Sequence, residues 1–416
     1  MPSAPFAYTE IVEVRGHLMD SGVLARIIDD VLEYGGDYRV DRLDLGPQHE
    51  DESYARMVIG APDDDLLQRL LMRVQTHGVN QVDPGEAMTR EAPRDGVFPD
   101  DFYSTTNLET SVRLGGAWVV VAHPEMDCGL RVRDGRVDTV PVSDVTAGDA
   151  IVCGASGVKV ALPAPPAVAD GTFGFMSSQV SSEKPQALLV RQIAQQMREV
   201  KESGLKLLWV GGPAVVHTGA APAMVALVEA GFVDVLFAGN ALATHDIESA
   251  LFGTSLGVDL KKGSGVPHGH EHHIRAINTI RTCGSIAAAV EAGVLTGGVM
   301  HAMVRAGKPF VLVGSVRDDG PLPDVYTDVI DGQRAMRAQL PGTGFAMMVA
   351  TMLHSIATGN ILPASVPLVC VDINPATVTK LADRGSAQAV GIVTDIGLFL
   401  EQLALELVPG FGGSGR

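Results

Sequence analysis

Residues 206–248 are the stretch that most constrains how this chain can fold. Residues 207–210 form a short apolar run that stops at a Gly-Gly-Pro turn. Residues 221–230 then carry apolar side chains at helical spacing, and residues 233–237 have the composition of a second buried strand. Two apolar strands joined by a helix predict a βαβ crossover in a parallel sheet.

The ends of these two strands are the first candidate ligand site, because ligands of parallel sheets collect at the carboxyl ends of the strands. The residues there are small or polar: Gly211, Gly212, His217, Gly219, Gly239, Asn240 and Ala241. Glycines let the backbone approach a phosphate or a sugar closely, but ordinary tight strand-to-helix turns use them as well. Because a polar cluster follows at His245, Asp246 and Glu248, we favour a nucleotide site.

Composition limits the class of protein and its partners. A length of 416 residues favours two or three domains, and 46% hydrophobic with 19% charged residues is typical of an α/β enzyme. The formal charge of -18 disfavours nucleic acid and acidic membrane surfaces as partners and is compatible with a small cationic substrate.

Cysteine usage and the apolar segments indicate the compartment. Four cysteines without paired spacing predict reduced thiols in a cytoplasmic protein. The first residues lack the basic and apolar regions of a signal peptide. The apolar run 345–357 is too short to span a membrane, so we interpret it as a buried helix.

The segment 1–83 has the pattern of a ferredoxin-like α+β domain. Its predicted order is strand 11–18, helix 23–34, strand 38–45, strand 54–59, helix 64–76 and a short last strand. Asp20 and Ser21 are suitable N-caps for the first helix. Small domains of this kind bind amino acids in some proteins and mediate association in others, and we favour association or a lid.

Residues 84–166 are predicted to form a small β-rich module. Short β-rich runs at 118–122, 130–132 and 150–152 are separated by turns. Two polar stretches, 103–107 and 124–128, are either turn and strand-end residues or parts of a site. The proline-rich run 162–166 then predicts a linker to the last domain.

The last domain, 167–416, is predicted to be Rossmann-like and doubly wound, because strand and helix patterns alternate along it. A strand at 366–371 is followed at once by Asp372, at the position where dinucleotide-binding sheets hold ribose hydroxyls; the alternative is a helix cap. No G-x-G-x-x-G sequence follows a strand: residues 342–345 are predicted to open a helix, but the residues before them, 337–340, do not have the pattern of a strand. A nucleotide site must therefore be unorthodox.

Four histidines lie within residues 267–273 and indicate either a metal site or a group of proton carriers. We favour proton transfer and predict no metal, because one carboxylate, Glu271, accompanies them and the H-E-x-x-H spacing of zinc enzymes is missing. Lys262, in the glycine-rich loop just before, is a candidate base or imine former if it is desolvated. The alternative is a solvated loop residue.

Three longer motifs resemble a known family: GGPAVVHTG at 211–219, AGNALATHDIESALFGTSLG at 238–257 and HGHEHHIRAINTIRTCGSI at 268–286. With FYSTTN at 102–107 and PEMDC at 124–128, they make essentially the whole chain similar to the archaeal-type ornithine cyclodeaminases. Those proteins share a small N-terminal domain with lysine-oxoglutarate reductase/saccharopine dehydrogenase-like proteins. The chain also resembles the C-terminal part of fused arginine dihydrolase/ornithine cyclodeaminases.

This resemblance implies an NAD-dependent conversion of L-ornithine to L-proline and ammonia, in which NAD⁺ takes a hydride from the substrate and later returns it. Matched residue by residue, it implies NAD contacts at Asn240, Ala241, Asp318, Thr358, Gly359, Asn360, Ile361, Leu362, Asp372, Asp395 and Ile396.

The catalytic candidates come from the chemistry of the side chains, since the family's catalytic residues are not carried over. The candidate proton carriers are His217, Asp246, Glu271 and His273, together with Lys262, and the candidate anchors of the substrate carboxylate are Arg275 and Arg113. Two other functions remain open: an amino-acid or opine-type dehydrogenase that releases NADH, and a non-catalytic amino-acid and NAD sensor. We also expect a homo-oligomer.

Overall fold

The computed structural model describes residues 6–16, 18, 22–46, 51–162, 186–255, 258–259, 271–318, 320–383 and 389–412. The chain folds into two compact units. The first comprises Met1–Phe173 and Asn360–Ser365, and the second comprises Gly174–Gly359 and Val366–Arg416. The division into three domains at residues 83 and 166 stays a prediction.

The first unit begins with the predicted ferredoxin-like order. Its elements are β1 (Tyr8–Gly16), α1 (Val23–Glu33), β2 (Asp37–Asp44), β3 (Ser53–Ala61), α2 (Asp64–Gln75) and β4 (Asn80–Gln81). They form an antiparallel sheet in the order β2-β3-β1-β4, which is the split βαβ arrangement. Alternate residues such as Val12 and Met57 pack against Ile27 and Leu70 of the two helices. The predicted caps Asp20 and Ser21 lie outside the described residues.

The rest of the first unit is β-rich, as predicted. Its strands are β5 (Met88–Glu91), β6 (Glu109–Leu114), β7 (Ala117–Val120), β8 (Gly129–Arg133), β9 (Arg136–Val140), β10 (Ala150–Cys153) and β11 (Val158–Ala161). They form two small sheets, β5-β10-β8-β9 and β11-β6-β7.

The two polar stretches of this β-rich part hold the segment Asn360–Ser365, which belongs to the same unit. The amide of Asn107 donates to the carbonyl of Leu362 at 3.2 Å, and the backbone N–H of Met126 donates to the carbonyl of Asn360 at 2.9 Å. These contacts favour the interpretation of the two stretches as turn and strand-end residues, because their hydrogen bonds hold the backbone of the segment Asn360–Ser365.

The second unit alternates helices and strands. Its helices are α3 (Gln186–Glu202), α4 (Ala214–His217), α5 (Ala221–Glu229), α6 (Asn240–Phe252), α7 (His272–Cys283), α8 (Ile286–Glu291), α9 (Val299–Arg305), α10 (Val329–Gln339), α11 (Leu353–Ile361), α12 (Pro375–Asp383) and α13 (Ile396–Leu407). Its strands are β12 (Lys206–Gly211), β13 (Val235–Gly239), β14 (Thr254–Ser255), β15 (Val258–Asp259), β16 (Phe310–Val313), β17 (Val325–Tyr326), β18 (Thr343–Val349), β19 (Leu368–Asp372) and β20 (Ala389–Val393).

Seven of these strands form one parallel sheet in the order β17-β16-β13-β12-β18-β19-β20. The chain builds outward in one direction from β12, then returns to β18 and builds in the other direction. The sheet is thus doubly wound, which confirms the predicted fold class, and its switch point lies between β12 and β18.

The connectivity is that of a Rossmann sheet whose two halves are exchanged along the chain. Counted from β18, the six strands from β20 to β16 have the order 3-2-1-4-5-6 of the dinucleotide-binding fold. The unit β18–α11–β19 therefore takes the place of the first βαβ unit, which binds the adenosine half of a dinucleotide in that fold. The chain reaches it last, although the usual order has it first.

The predicted helix at 345–357 is wrong. Residues 343–349 are strand β18, and α11 begins only at Leu353. The strand lies between β12 and β19 with residues 345–349 all buried, so its apolar run has no alternation by which a strand is recognised. The predicted helix opening at residues 342–345 is wrong for the same reason.

The strand end at residues 239–241 leads directly into a helix. Helix α6 begins at Asn240, directly after β13, and continues to Phe252. The polar cluster of His245, Asp246 and Glu248 therefore lies on a helix. Within the described parts of the chain, none of the helices has the length and apolar character needed to cross a membrane.

Candidate active site at the carboxyl edge of the parallel sheet

The switch point is closed by a backbone contact that requires glycine. The N–H of Gly212 donates to the carbonyl of Val349 at 2.9 Å, and a Cβ atom at Gly212 would overlap the carbonyl oxygen of Ala350. Ala350 itself adopts φ +53°, which is uncommon for a residue with a side chain. The crevice of a doubly wound sheet begins at such a switch point.

Asp372 is the last residue of β19, at the sheet edge predicted for it. Its Oδ1 accepts the backbone N–H of Asn374 at 2.8 Å, and Asn374 in turn accepts the N–H of Ala376 at the start of α12. The cap of α12 is therefore Asn374, and Asp372 fixes the turn before it. A carboxylate has about four acceptor positions, so this bond leaves acceptor capacity for a sugar hydroxyl.

Apolar side chains are exposed beside Asp372. Ile373 follows it and is 73% exposed, and Leu353, at the start of α11, is 76% exposed. Both positions lie at the carboxyl ends of neighbouring strands, β19 and β18. Apolar surface next to a carboxylate suits a flat ring that is linked to a ribose.

Two hydroxyl groups of α11 are buried without a hydrogen-bond partner among the described residues. They are Oγ of Ser355 and Oγ1 of Thr358. A buried hydroxyl without a partner is rare in native proteins and marks a place where a ligand or water completes the structure. The first amides of α11 also lack intrahelical partners, which makes this helix start a suitable site for a phosphate.

The ends of β13 and β16 meet the start of α11. His354 of α11 hydrogen-bonds the backbone of Val313, and burial lowers the pKa of this histidine. A Cβ atom at Gly239 would lie 3.1 Å from Cε1 of His354. The carboxylate of Asp318 accepts the N–H of Ser315 at 2.8 Å in the loop after β16. The structure thus brings Asp318 and Asn240, the residue after Gly239, to one part of the edge.

Several predicted cofactor residues have buried side chains, so only their backbone is available to a ligand. Asn240 is 4% exposed and its Oδ1 accepts the N–H of Leu322 at 3.0 Å. Ile396 is 4% exposed and packs in the core. Gly359 ends the part of α11 in the second unit, whereas Asn360, Ile361 and Leu362 pack in the first unit.

The start of α13 lies beside α4. Asp395 caps α13 by accepting the N–H of Leu398 at 2.9 Å. A Cβ atom at Gly397 would lie 3.3 Å from the Cβ of Thr218, the residue after His217. The structure therefore brings the predicted cofactor residues Asp395 and Ile396 close to the predicted catalytic residue His217.

Four side chains around α6 form a hydrogen-bonded network, and the ring of a fifth residue, His217, packs beside it. Nδ1 of His245 lies 2.8 Å from Oε2 of Glu248, and Thr254 donates to Oε1 of Glu248 at 2.9 Å. Nδ1 of His272 lies 2.8 Å from Oγ1 of Thr254. The ring of His217 lies 4.8 Å from the ring of His245. We call this group of residues the histidine network.

The histidine network is largely shielded from water. Glu248 is fully buried, and the side chain of His245 is 12% exposed. Nδ1 of His217 lies 2.6 Å from Oγ of Ser255, and the ring of His273 lies 6.5 Å from that of His245. Burial lowers the pKa of His217, and the neighbouring His245 lowers it further while Glu248 raises it. His217 is therefore a neutral base at pH 7.

Asp246 has contacts that indicate a structural role. Its carboxylate is 1% exposed and accepts the N–H groups of Val299 and Met300, both at 2.8 Å. It thereby satisfies the start of α9. Burial raises the pKa of Asp246 to about 6, against the two backbone hydrogen bonds.

The other predicted site residues are more scattered. Glu271 and Arg275 form an exposed ion pair one helical turn apart, with Nε of Arg275 at 3.0 Å from Oε2. Arg113 lies in the first unit, where it pairs with Glu86 at 3.4 Å. Lys262 lies outside the described residues. Pro267, His268 and His270 of the 267–273 cluster do so as well. Among the described residues, no group of three histidine, cysteine, aspartate or glutamate side chains is arranged to hold a metal ion.

Sequence reasoning missed most of the histidine network. His245 and Glu248 belonged to a polar cluster beside the strand end, but neither was a catalytic candidate. The available signal was their spacing of three residues, which places two side chains on one face of a helix. Thr254, Ser255 and His354 carry no such signal, because only the tertiary structure brings them to their partners.

Family models and known proteins match almost the whole chain. The model for "Arginine dihydrolase ArgZ-like, C-terminal, Rossmann fold" matches residues 191–403, its companion first region matches residues 109–190, and the "LOR/SDH bifunctional enzyme conserved region" matches residues 9–108. A curated protein from Methanothermobacter thermautotrophicus, named ornithine cyclodeaminase, is 51% identical over 403 residues. The match covers 96% of this chain and 98% of that protein.

Two solved structures of longer proteins are also similar. The apo structure of ArgZ, a cyanobacterial arginine dihydrolase, superimposes with a TM-score of 0.84 at 36% identity and covers 98% of this chain and 60% of its own. The ternary complex of AgrE with ornithine and NAD⁺ gives a TM-score of 0.53 at 39% identity, covering 97% of this chain and 58% of its own. This chain therefore spans about three fifths of either protein.

Proposed function

Because this chain belongs to the family of archaeal ornithine cyclodeaminases, we propose that it converts L-ornithine to L-proline and ammonia with NAD as a bound cofactor. The observation that carries the proposal is the similarity to a curated ornithine cyclodeaminase over almost the full length of both chains. The complex of AgrE with ornithine and NAD⁺ supports the same substrate and cofactor. The alternatives, a dehydrogenase and a sensor, have no comparable support.

The residues at the sheet edge fit a dinucleotide. We propose that β18, α11 and β19 hold its adenosine half, with Asp372 accepting hydrogen bonds from the ribose, Ile373 and Leu353 against the base, and the start of α11 at the phosphates. The unpartnered hydroxyl of Thr358 supports this placement. The nicotinamide half then lies over β12, β13 and β16, where Asn240, Ala241 and Asp318 are located.

When bound, NAD⁺ removes a hydride from the α-carbon of ornithine and returns it to the cyclic imine, so that the reaction is redox-neutral. The chain must supply proton carriers, because two amines change their protonation during cyclisation and loss of ammonia. We propose His217 and His273 for this role, with Glu271 as a further carboxylate. Asp246 is no longer part of the proposal, because its carboxylate holds the start of α9.

The substrate carboxylate needs a cation, and we propose Arg275. It lies in the first turns of α7, next to His272 and His273 of the same helix, and its side chain is 62% exposed. Its partner Glu271 is exposed as well, so a substrate carboxylate can replace this pairing at small cost. Lys262 stays a candidate base. A cytoplasmic location and a homo-oligomer stay predictions.

The experiment that tests the function is incubation of the purified protein with L-ornithine, followed by assays for proline, ammonia and free NADH. We expect equal amounts of proline and ammonia without net NADH. NADH released in proportion to ornithine consumed would instead support the dehydrogenase. No turnover, combined with ligand-dependent stabilisation, would support the sensor.

A further inference from the structure

We propose that His245 is the principal proton carrier of the reaction and that Glu248 is a positioning residue that orients its ring. This inference rests on the proposed function and assigns the proton transfer to residues that sequence reasoning did not select. It is carried by the geometry of the histidine network in the second unit.

The two residues form a preorganised pair on one helix. They are three residues apart in α6, and Oε2 of Glu248 lies 2.8 Å from Nδ1 of His245. Glu248 is fully buried, where a carboxylate is stable only if its oxygens have donors. His245 is one donor, and the hydroxyl of Thr254 is another, at 2.9 Å.

The hydrogen bonds determine which nitrogen of each ring carries the proton. The single hydroxyl hydrogen of Thr254 is donated to Glu248, so Nδ1–H of His272 must donate to Oγ1 of Thr254. A carboxylate accepts only, so His245 also donates through Nδ1–H. The lone pair of His245 is therefore on Nε2, at the opposite side of the ring. A carboxylate that fixes a histidine in this tautomer is the arrangement of a general base.

His245 also has the central position among the candidate carriers. Its ring lies 4.8 Å from that of His217 and 6.5 Å from that of His273. It is five residues from Asn240, where α6 leaves the strand edge, which places it about 7 Å along the helix from that edge. Protons can therefore pass among three imidazoles near the proposed nicotinamide half of the site.

The proposed proton transfers begin at the imine that ornithine forms when it loses its hydride. Nε2 of His245 takes a proton from the side-chain ammonium of the substrate imine. The freed amine forms a bond to the α-carbon, and the π electrons of the imine move to the α-nitrogen. For an imine that is protonated on its α-nitrogen, the attack leaves an amine on the α-carbon and a positively charged ring nitrogen with two hydrogens. The ring nitrogen gives one proton to His217, which lies beside His245, and protonated His245 returns its proton to the α-nitrogen. The bond between the α-carbon and that nitrogen then breaks with its electron pair leaving on ammonia, while the lone pair of the ring nitrogen forms the double bond of the protonated cyclic imine.

The structural alternative is that Glu248 only clamps α6 to the segments that carry Thr254 and His272. The two roles differ in what a conservative change does. His245→Asn keeps an N–H that can donate to Glu248 but removes the base, and Glu248→Gln keeps the size of the side chain but removes the charge. The matched controls are His123→Asn and Glu291→Gln, which change exposed residues outside the network.

The experiment measures kcat, the KM for ornithine, the Kd of NAD⁺ and the melting temperature for the four variants. We expect His245→Asn to lower kcat by about 10²-fold or more and Glu248→Gln by about 10-fold or more, with KM and Kd within about twofold of the unchanged protein. A kcat of His245→Asn equal to that of His123→Asn would overturn the proposal.

The Glu248→Gln variant provides a second test if His245→Asn does not fold. A Glu248→Gln protein that melts at a lower temperature but keeps its kcat would show a clamp only, and would overturn the positioning role. Failure of the proposed function is distinguishable from either result, because the unchanged protein itself would then form no proline from ornithine.

Discussion

The two halves of the parallel sheet provide different chemistry along one edge. The half of β18, β19 and β20 presents exposed apolar side chains, a helix start and the carboxylate of Asp372. The half of β12, β13 and β16 leads into helices that carry His217 and His245. Our proposal is that the first half holds the adenosine part of the cofactor, while the second half faces the nicotinamide part and moves protons. Substitutions should therefore separate affinity from turnover according to the half in which they lie.

A substitution at Gly212 should impair both NAD binding and turnover, and it should have the largest effect of the variants proposed. It lies at the border of the halves, and a Cβ atom there would overlap the carbonyl oxygen of Ala350. We expect Gly212→Ala to cost about 3 kcal/mol of the free energy of unfolding and to weaken both NAD binding and turnover. Chemical denaturation beside Gly297→Ala, which has open space, measures it. Equal stability of the two variants would contradict the close approach of Gly212 to the carbonyl oxygen of Ala350.

His217 should affect turnover alone. We expect His217→Asn to lower kcat by about 10²-fold, equivalent to about 2.7 kcal/mol, while the Kd of NAD⁺ stays unchanged. Since burial holds the pKa of His217 below its usual value, the ring stays neutral as the pH falls to 6.5, and its contribution to turnover is lost only below that pH. A pH profile of kcat and calorimetric titration with NAD⁺ measure both. Weaker NAD binding in this variant would contradict the assignment of affinity and turnover to different halves of the sheet.

His217 also has a predicted effect on stability. Its folded-state pKa is lower than that of the unfolded chain, so the unfolded state binds the proton more tightly. The free energy of unfolding should therefore decrease as the pH falls from about 6.5 toward the lowered pKa. The difference in melting temperature between the unchanged protein and His217→Asn should narrow over that range. A difference that does not vary with pH would contradict the sign of the shift.

Asp372 should affect affinity alone. We expect Asp372→Ala to weaken NAD binding by about 1.5 to 3 kcal/mol through loss of charge-assisted hydrogen bonds to the ribose. Asn374→Ala is the control, because it removes the cap of α12, which costs about 1 kcal/mol of stability, without removing the carboxylate. Titration of both variants with NAD⁺ measures their affinities. If both variants lose stability and neither loses affinity, Asp372 belongs to the turn and not to the cofactor site.

Ile373 should give the smallest effect, again on affinity. We expect Ile373→Ser to weaken NAD binding by about 1 kcal/mol, because less apolar surface is then buried against the base. Leu405→Ser removes a similarly exposed apolar side chain on α13 and serves as the control. Identical dissociation constants for the two variants would place the base elsewhere along the edge.

The sequence predicted the first unit's ferredoxin-like elements to within about three residues of their observed ends. Those strands have one face in the core and one in water, so residues such as Val12 and Val14 alternate with polar neighbours. In the parallel sheet both faces are covered, and β18 has no such alternation. Its Met and Ala residues also have high helix propensity, so the sequence alone predicts a helix there.

The sequence predicts those residues of the candidate site whose position depends on a single helix or strand. Asp372 follows an apolar strand directly, and its place at the sheet edge needed no knowledge of other elements. His245 and Glu248 were visible as a cluster, but their pairing depends on α6 beginning at Asn240. Thr254 reaches Glu248 only because the chain reverses after Gly253, which adopts φ +69°.

The central claim is that one bound NAD removes a hydride from ornithine and returns it to the same carbon of the product. The most direct test is turnover of L-ornithine that carries deuterium on its α-carbon, with the proline analysed by mass spectrometry and NMR. The account predicts that the deuterium is retained on the α-carbon of proline, even with excess unlabelled NAD⁺ and NADH in solution. Proline that carries hydrogen there, with deuterium in free NADH or in water, would contradict it.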